Sequence, residues 1–248
     1  MRNYKTETEK RVAFIRELLE EAGAGGIVFG NSGGKDAVLV GILCKMACEN
    51  TVGLIMPCFT KSNYGDDMTD ALMISKLYRI EKRLVDLTKT AEALKKALKD
   101  AADIAGAKEA NTAIAPRLRM ISLYTVASSE NRLVAGTGNK SERHMGYFTK
   151  WGDGAFDFNP IADLTVTEIY EFLTYLDAPK RIISKAPSAG LYDGQTDEQE
   201  MGITYKIIDE YLQSGESSPE NMAIINKYHK ISEHKRVPPK IYKEQDKV

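Results

Sequence analysis

Cysteine is scarce in this sequence of 248 residues, which contains only Cys44, Cys48 and Cys58. An odd number of cysteines without metal-site spacing excludes a fully paired disulfide framework and gives no zinc signature. Cys44 and Cys48 lie in a very apolar stretch, residues 36–48. We therefore expect buried free thiols in a reducing compartment.

The sequence also lacks a long apolar run and an excess of charge of either sign. No run reaches the ~18–20 apolar residues that span a bilayer, and the charged N-terminus has no signal-peptide core. Its 34 basic and 35 acidic residues give a net charge of −1, which argues against binding nucleic acid through phosphate neutralisation. These absences predict a soluble, cytoplasmic protein with neither a membrane nor a nucleic acid as partner.

Internal repeats, linkers and low-complexity segments are absent too, so residues 1–248 are predicted to form a single domain. Short apolar runs at residues 25–30, 51–57, 82–87 and 133–138 read as strands. Helices are expected at residues 5–22, 66–80 and 90–104, and at 36–48, where a nearly continuous apolar run suits a buried helix. A further helix is expected around Pro116, and residues 184–202 read as a long loop. Alternation of strands with helices predicts an α/β fold, a doubly wound parallel sheet with helices on both faces.

The segment GIVFGNSGGKDA, residues 26–37, places two glycines between a strand and a helix. A loop at the carboxyl end of a parallel strand, leading into a helix, offers free N–H groups and a positive dipole end to an anion. Asp36 suits a magnesium ion beside a phosphate better than the phosphate itself. The segment matches neither the Walker A motif nor the dinucleotide-binding motif. Taken alone, it fits an anion site and a plain connecting turn equally well.

A second candidate segment is residues 134–160, VAGTGNKSERHMGYFTKWGDGAFDFNP. Thr137 follows a predicted strand, and Glu142 is a second carboxylate that could reach the same metal as Asp36. Lys150 and Asp157 flank a glycine-rich turn that could hold a charged substrate. From the residues alone, a surface loop with ordinary salt bridges is the alternative.

Several motifs resemble known families. Residues 32–36 match the first five positions of S-G-G-x-D-[ST], the pyrophosphate-binding loop of the N-type ATP pyrophosphatases. The G-T-G-N-K-S-E-R and G-Y-F-T-K-W-G-D-G stretches resemble ammonia-dependent NAD synthetases. So do the arginine segment R-L-R-M after Asn111, the segments K-A-P-S-A and D-G-Q-T-D-E-Q-E-M-G-I-T-Y, and S-E-H-K-R near the C-terminus. The resemblance runs in order from residue 10 to about residue 240.

The resemblance implies an adenine nucleotide alpha hydrolase-like fold and an enzyme of NAD biosynthesis. In that reaction ATP adenylates the carboxylate of deamido-NAD, pyrophosphate leaves, and ammonia displaces AMP to form the amide. Members of that family are homodimers with the active site at the subunit interface, so the resemblance implies a homodimer here. The chain has no room for a glutaminase domain, so free ammonia is the expected donor, and whether a separate glutaminase delivers it stays open.

The resemblance also assigns residues. The ATP-binding residues it implies are Gly30, Asn31, Ser32, Gly33, Gly34, Lys35, Asp36, Ala37, Thr137 and Ser188. Asp36 and Glu142 would hold Mg²⁺ and, with Lys150, form the catalytic set. The deamido-NAD residues it implies are Arg117, Lys150, Asp157, His234 and Lys235.

Two positions depart from the family pattern. Ala37 replaces a serine that would donate to phosphate, a loss of ~0.5–1.5 kcal/mol. Val166 replaces a lysine that reaches ATP, and it falls on an apolar stripe with Ile169, Tyr170 and Leu173. We hypothesise that Lys35 supplies some of the missing charge. The alternative is a relative that binds nucleotide with weak or lost synthetase activity; another ATP pyrophosphatase, acting on tRNA or GMP precursors, is disfavoured.

Overall fold

The computed structural model describes residues 2–104, 106–185, 188, 190–192, 194 and 196–242. Its sheet contains β1 (Gly26–Gly30), β2 (Thr51–Ile55), β3 (Glu81–Leu84) and β4 (Arg132–Ala135). The strands are all parallel in the order β3-β2-β1-β4. Because β1 is central and its neighbours come later in the chain, the strand order reverses beside it, where open α/β sheets bind ligands.

The helices fill the connections and the C-terminal third of the chain. They are α1 (Tyr4–Ala22), α2 (Lys35–Ala47), α3 (Lys61–Tyr64), α4 (Asp66–Leu77), α5 (Thr88–Ala97), α6 (Lys108–Thr112), α7 (Ile114–Glu130), α8 (Lys140–Met145), α9 (Val166–Tyr175), α10 (Lys180–Ile183), α11 (Asp197–Met201), α12 (Tyr205–Ser214), α13 (Pro219–Ile231) and α14 (Glu233–Arg236).

Side chains of β1 alternate between two cores, which confirms the prediction of helices on both faces. Ile27 and Phe29 pack with buried residues of α1, α2, α4 and α9. Val28 points the other way and packs with residues of α5 and α7. The alternation follows from the two-residue period of a strand, and burial on both faces explains the continuous apolar run.

A third apolar cluster lies outside the sheet and joins the C-terminal helices. Met145, Val166, Met201, Tyr205 and Ile208 are among its buried members. Asp209 of α12 fastens the helices together, since its carboxylate accepts hydrogen bonds from Ser141 and from the backbone and hydroxyl of Thr167. This cluster packs α8 and α13 against α9, α11 and α12.

Part of the predicted 184–202 loop is wrong, because Asp197–Met201 forms α11. The acidic side chains of its first turn favour a helix N-terminus, and Gly202 ends it at a φ of 71°. Residues 186, 187, 189, 193 and 195 of that loop lie outside the described residues. The predicted helices at 66–80 and 90–104 end earlier, at Leu77 and Ala97.

The three cysteines are free. Cys44 is buried as predicted and Cys58 is buried too, whereas Cys48, also predicted to be buried, is half-buried. Burial raises the pKa of the Cys44 thiol. In the described part of the chain, no helix is long and apolar enough to cross a membrane.

Candidate functional site

A cavity of about 810 Å³ opens at the carboxyl ends of β1 and β4. Gly30 and Ala135 end those two strands and line it, and α2, α4, α7, α8 and α14 complete its walls. Of the residues predicted for the site, those that line the cavity are Gly30, Asn31, Ser32, Gly34, Lys35, Asp36, Ala37, Thr137, Glu142, Ser188, His234 and Lys235. The fold thus brings together residues up to about 200 positions apart.

The side chain of Asn31 connects the loop between β1 and α2 to α4 by hydrogen bonds. Its buried amide Nδ2 donates to the Ala71 carbonyl at 3.2 Å and lies 3.1 Å from Ser75 Oγ, while its Oδ1 accepts from the Gly33 N–H. Gly33 has a φ of 74°, and a Cβ there would lie 2.5 Å from the Asp67 carbonyl oxygen. Gly33 therefore faces α4 rather than the cavity, and it fixes the shape of the loop.

The N-terminus of α2 points its backbone donors into the cavity region. Gly34 is the N-cap residue and makes no side-chain capping bond, so the first N–H groups of this 13-residue helix remain for a ligand. Ser32 Oγ accepts from the Gly34 N–H at 3.3 Å. Ala37 adds a buried methyl group to the wall.

A charged cluster lies at the start of α2. Lys35 Nζ is 2.7 Å from Asp36 Oδ2, and Asn139 Nδ2 donates to Asp36 Oδ1 at 3.1 Å. Asn139 also donates its N–H to Glu142 Oε2 at 3.0 Å, as part of a capping box that begins α8. One asparagine therefore connects the two carboxylates predicted to hold the metal.

The pKa values of this cluster are shifted by burial and by mutual charge. Burial raises the pKa of Glu142 well above its usual range, and Asp36 raises it further, whereas Lys35 opposes the shift. Burial alone would lower the pKa of Lys35, but the carboxylates of Asp36 and Glu142 outweigh it and the pKa is raised. Lys35 is therefore a permanent cation between two acids.

The donor set fits magnesium only together with a phosphate ligand. Among the described residues, no group of three or more His, Cys, Asp or Glu side chains could hold a metal ion. Asp36 and Glu142 offer hard carboxylate oxygens, and Mg²⁺ in phosphate sites commonly takes one or two carboxylates plus substrate oxygens and water.

The far wall of the cavity comes from the loop after α8 and from α14. Lys235 Nζ donates to the carbonyls of Gly146 and Phe148, each at 2.8 Å. Lys150 Nζ donates to the His234 carbonyl at 2.6 Å. These bonds fasten the C-terminal helix to the rim. Burial lowers the pKa of Lys235, partly offset by the charge of Asp153.

In the described part of the chain, four of the predicted site residues do not line the cavity: Gly33, Arg117, Lys150 and Asp157. Arg117 is exposed on α7. Asp157 accepts from the Val134 N–H at 2.7 Å and from Tyr124 at 3.2 Å. A single chain therefore does not gather all of the residues predicted to bind the dinucleotide.

Comparison with known proteins agrees with this geometry. The NAD synthase family model matches residues 7–246. The chain belongs to the NAD synthase family. The NH3-dependent NAD+ synthetase of Carboxydothermus hydrogenoformans is 47% identical over 240 residues, covering 96% of this chain and 98% of that protein. That of Archaeoglobus fulgidus is 41% identical, covering 98% and 99%.

Solved structures share the fold. The NMN synthetase of Francisella tularensis superposes with a TM-score of 0.91 at 36% identity, covering 98% of this chain and 99% of that one. The NH3-dependent NAD synthetase of Campylobacter jejuni has a TM-score of 0.79 at 30% identity, covering 98% and 100%. The predicted fold class is confirmed.

Sequence reasoning about this NAD synthase missed Arg119 and Asn139. Arg119 is half-buried, lines the cavity and donates to the Met56 carbonyl at 3.1 Å and to Asn63 Oδ1 at 2.8 Å. Only the helix phase of α7 decides that Arg119 faces inward and Arg117 outward. Asn139 was detectable, since N-x-x-E before a helix is a capping-box pattern.

A salt-bridge cluster beside the cavity was also missed. Lys185 Nζ is 2.8 Å from Asp67 Oδ1 and 2.8 Å from Asp70 Oδ2, and Arg181 also pairs with Asp70. Asp70 is 1% exposed. The cluster joins α4 to Arg181 of α10 and to Lys185, and Lys185 lines the cavity. Sequence could not pair residues about 115 positions apart.

The structure agrees with the apolar interpretation of position 166 in this NAD synthase. Val166 is 3% exposed and packs in the C-terminal cluster, with Tyr170 against it. Ile169 and Leu173 of the same stripe are fully buried in the sheet core.

Proposed function

We propose that the protein catalyses the ATP- and ammonia-dependent amidation of deamido-NAD to NAD. The nicotinate carboxylate attacks ATP, giving an acyl-adenylate and pyrophosphate, and ammonia then displaces AMP. The observation that carries the proposal is a single cavity that joins the Asp36–Glu142 cluster to the wall formed by α14, in a chain similar over almost its whole length to NH3-dependent NAD+ synthetases.

The loop and the start of α2 are suited to the phosphates of ATP. We assign Gly30 to Ala37 to those phosphates, because the first N–H groups of α2 and the positive end of its dipole are suited to an anion. Thr137 and Ser188 line the same cavity and are proposed to contact ATP. Asp36 and Glu142 would hold Mg²⁺. When bound, Mg²⁺ would neutralise negative charge on the leaving pyrophosphate.

The opposite wall is suited to the acid substrate. We assign His234 and Lys235 to it, together with Lys150, which contacts the His234 carbonyl. Arg117 and Asp157, outside the cavity lining, would act from the rim or across the interface of a homodimer. Enclosing the acyl-adenylate between these walls keeps water from hydrolysing it.

We place the reaction in the cytoplasm, a reducing compartment in which the three free cysteines are stable. Free ammonia is the proposed nitrogen donor, whether or not a separate glutaminase produces it.

A second candidate substrate is nicotinate mononucleotide, which lacks the adenylyl half of deamido-NAD. The specific observation in its favour is the TM-score of 0.91 to an NMN synthetase, compared with 0.79 to an NH3-dependent NAD synthetase. The chemistry at the carboxylate would be the same, and only the part of the site that binds the adenylyl group would differ.

The test incubates the full chain with ATP, Mg²⁺ and ammonium and either acid, and follows AMP and the amide product. We expect NAD from deamido-NAD, and Asp36→Asn to abolish it. A higher kcat/KM for the mononucleotide would establish the second candidate. Failure to form either amide, with ATP still bound, would establish the nucleotide-binding relative. Glutamine in place of ammonium is expected to give no product.

A further inference from the structure

Lys35 is a buried ammonium group inside the loop that faces the cavity. Its side chain is 6% exposed, and its Nζ is 2.7 Å from Asp36 Oδ2. The rings of Tyr205 and Tyr170 also lie near it, with centroids 5.7 and 6.0 Å from Nζ. The ammonium is thus held by a carboxylate and by the negative faces of two aromatic rings.

The same carboxylate is the one assigned to the divalent cation. Both oxygens of Asp36 are already bonded, Oδ2 to Lys35 and Oδ1 to Asn139. Glu142 is bonded through Oε2 to the Asn139 backbone. A divalent cation that approaches Asp36 must therefore displace the ammonium from Oδ2 or remain close to a like charge.

We propose that Lys35 is a built-in counter-ion that keeps divalent cations away from Asp36 until the phosphates of ATP are present. The proposal rests on the proposed function in naming ATP as the ligand and Asp36 as a residue that holds the divalent cation. Without nucleotide, the Asp36–Glu142 pair shares its charge with Lys35, so a free divalent cation gains little. The phosphates add negative charge to the same cavity, so the metal and the ammonium can both be neutralised. Metal and nucleotide then bind together rather than metal first.

The test measures binding of Mn²⁺ alone to the full chain without nucleotide, by electron paramagnetic resonance. Lys35→Met is expected to bind Mn²⁺ at least about tenfold more tightly than the wild type, the lower end of measured couplings between close charges. Lys35→Arg keeps the charge and is expected to keep the weak binding of the wild type. Asp36→Asn placed in the Lys35→Met chain is expected to remove the gain.

Lys45 provides a matched control. It is a second lysine of α2, paired through Nζ with Glu49 at 2.6 Å and distant from the cavity lining. Lys45→Met is expected to leave Mn²⁺ affinity unchanged. Should Lys35→Met fail to fold by circular dichroism, Lys35→Gln, which can still donate to Asp36, is used in its place with the same expectation.

A second arm repeats the titration with a saturating non-hydrolysable ATP analogue. There Lys35→Met is expected to lose its advantage, because the wild-type ammonium is now neutralised by phosphate. Equal Mn²⁺ affinity of the wild type and the charge-free variant without nucleotide would overturn the proposal. No step of this experiment needs turnover, so its failure leaves the amidation standing, and failure of the amidation assay leaves the metal result standing.

Discussion

Gly33 and Gly34 look equivalent in the sequence, but the structure predicts very different costs for replacing them by alanine. Gly33 has a φ of 74°, and a Cβ there would lie 2.5 Å from the Asp67 carbonyl oxygen and 2.8 Å from the Ala71 nitrogen. Both obstacles are backbone atoms of α4, so no side-chain rotation can relieve them. The loop cannot retreat easily either, because the buried Asn31 amide ties it to α4.

The magnitude for Gly33→Ala has two parts. The left-handed conformation costs roughly 1–2 kcal/mol for an L residue, and forcing a methyl group into a filled space costs typically ~1–3 kcal/mol. We therefore expect the free energy of unfolding to fall by about 2–5 kcal/mol. The measurement is a urea unfolding curve, followed by circular dichroism.

Gly34→Ala is the matched control. Gly34 has a φ of −78°, and its Cβ would meet only Ser32 Oγ, at 3.3 Å. Its unfolding free energy is expected to stay within about 1 kcal/mol of the wild type. The same control is expected to weaken ATP binding, because the new methyl group stands where the phosphates approach. Equal unfolding free energies for the two variants would refute the reasoning about Gly33.

Three further predictions concern the C-terminal helices. Burial and, after it, the charges of His229 and Arg236 lower the pKa of His144 from 6.5 to about 4. Between these two pH values the unfolded chain binds more protons than the folded chain, so the free energy of unfolding falls as the pH drops from 6.5 to 4. For this half-buried ring we expect a loss of about 1–2 kcal/mol. His144→Phe should flatten that dependence in urea unfolding at several pH values, and an unchanged slope would contradict it. Asp209→Ala, which removes a buried acceptor of three hydrogen bonds, is expected to cost ~2–4 kcal/mol in the same assay; a loss under 1 kcal/mol would count against the fastening role of α12. Val166→Lys places a charge in an apolar cluster and should lower the melting temperature. If the new ammonium group repels that of Lys35, the melting temperature should fall more in the wild-type background than in the Lys35→Met background. Equal falls in the two backgrounds would exclude that coupling.

Much of the fold could be predicted from the sequence because its signals are local. An apolar run, a turn with two glycines and a second apolar run gave β1 and α2 to within about a residue of their observed limits. The alternation of strands with helices predicted parallel pairing, because two parallel neighbouring strands need a crossover connection and a helix commonly provides it. The short helix α11 was missed because its five residues carry no apolar period.

The motifs also indicated the family, and the residue types at Asp36 and Glu142 indicated a metal site before any geometry was known. The sequence could not show which arginine of α7 faces the cavity, because that depends on how the helix is rotated against the packed core. Arg119 lines the cavity and Arg117 does not. The sequence could not show that Asn139 connects the two carboxylates, since Asp36 and Asn139 are 103 residues apart.

By itself, then, the sequence determined the alternation of strands and helices as far as β4, the chemistry available in the loops and the family. The tertiary structure decided what those groups contact. It directed Gly33 toward α4, bonded the Lys35 ammonium to Asp36, and left Arg117 and Asp157 outside the cavity of a single chain. The physical reason is that backbone preferences and apolar periods act over a few residues, whereas ion pairs and cavity walls depend on which distant segments the packed core brings together.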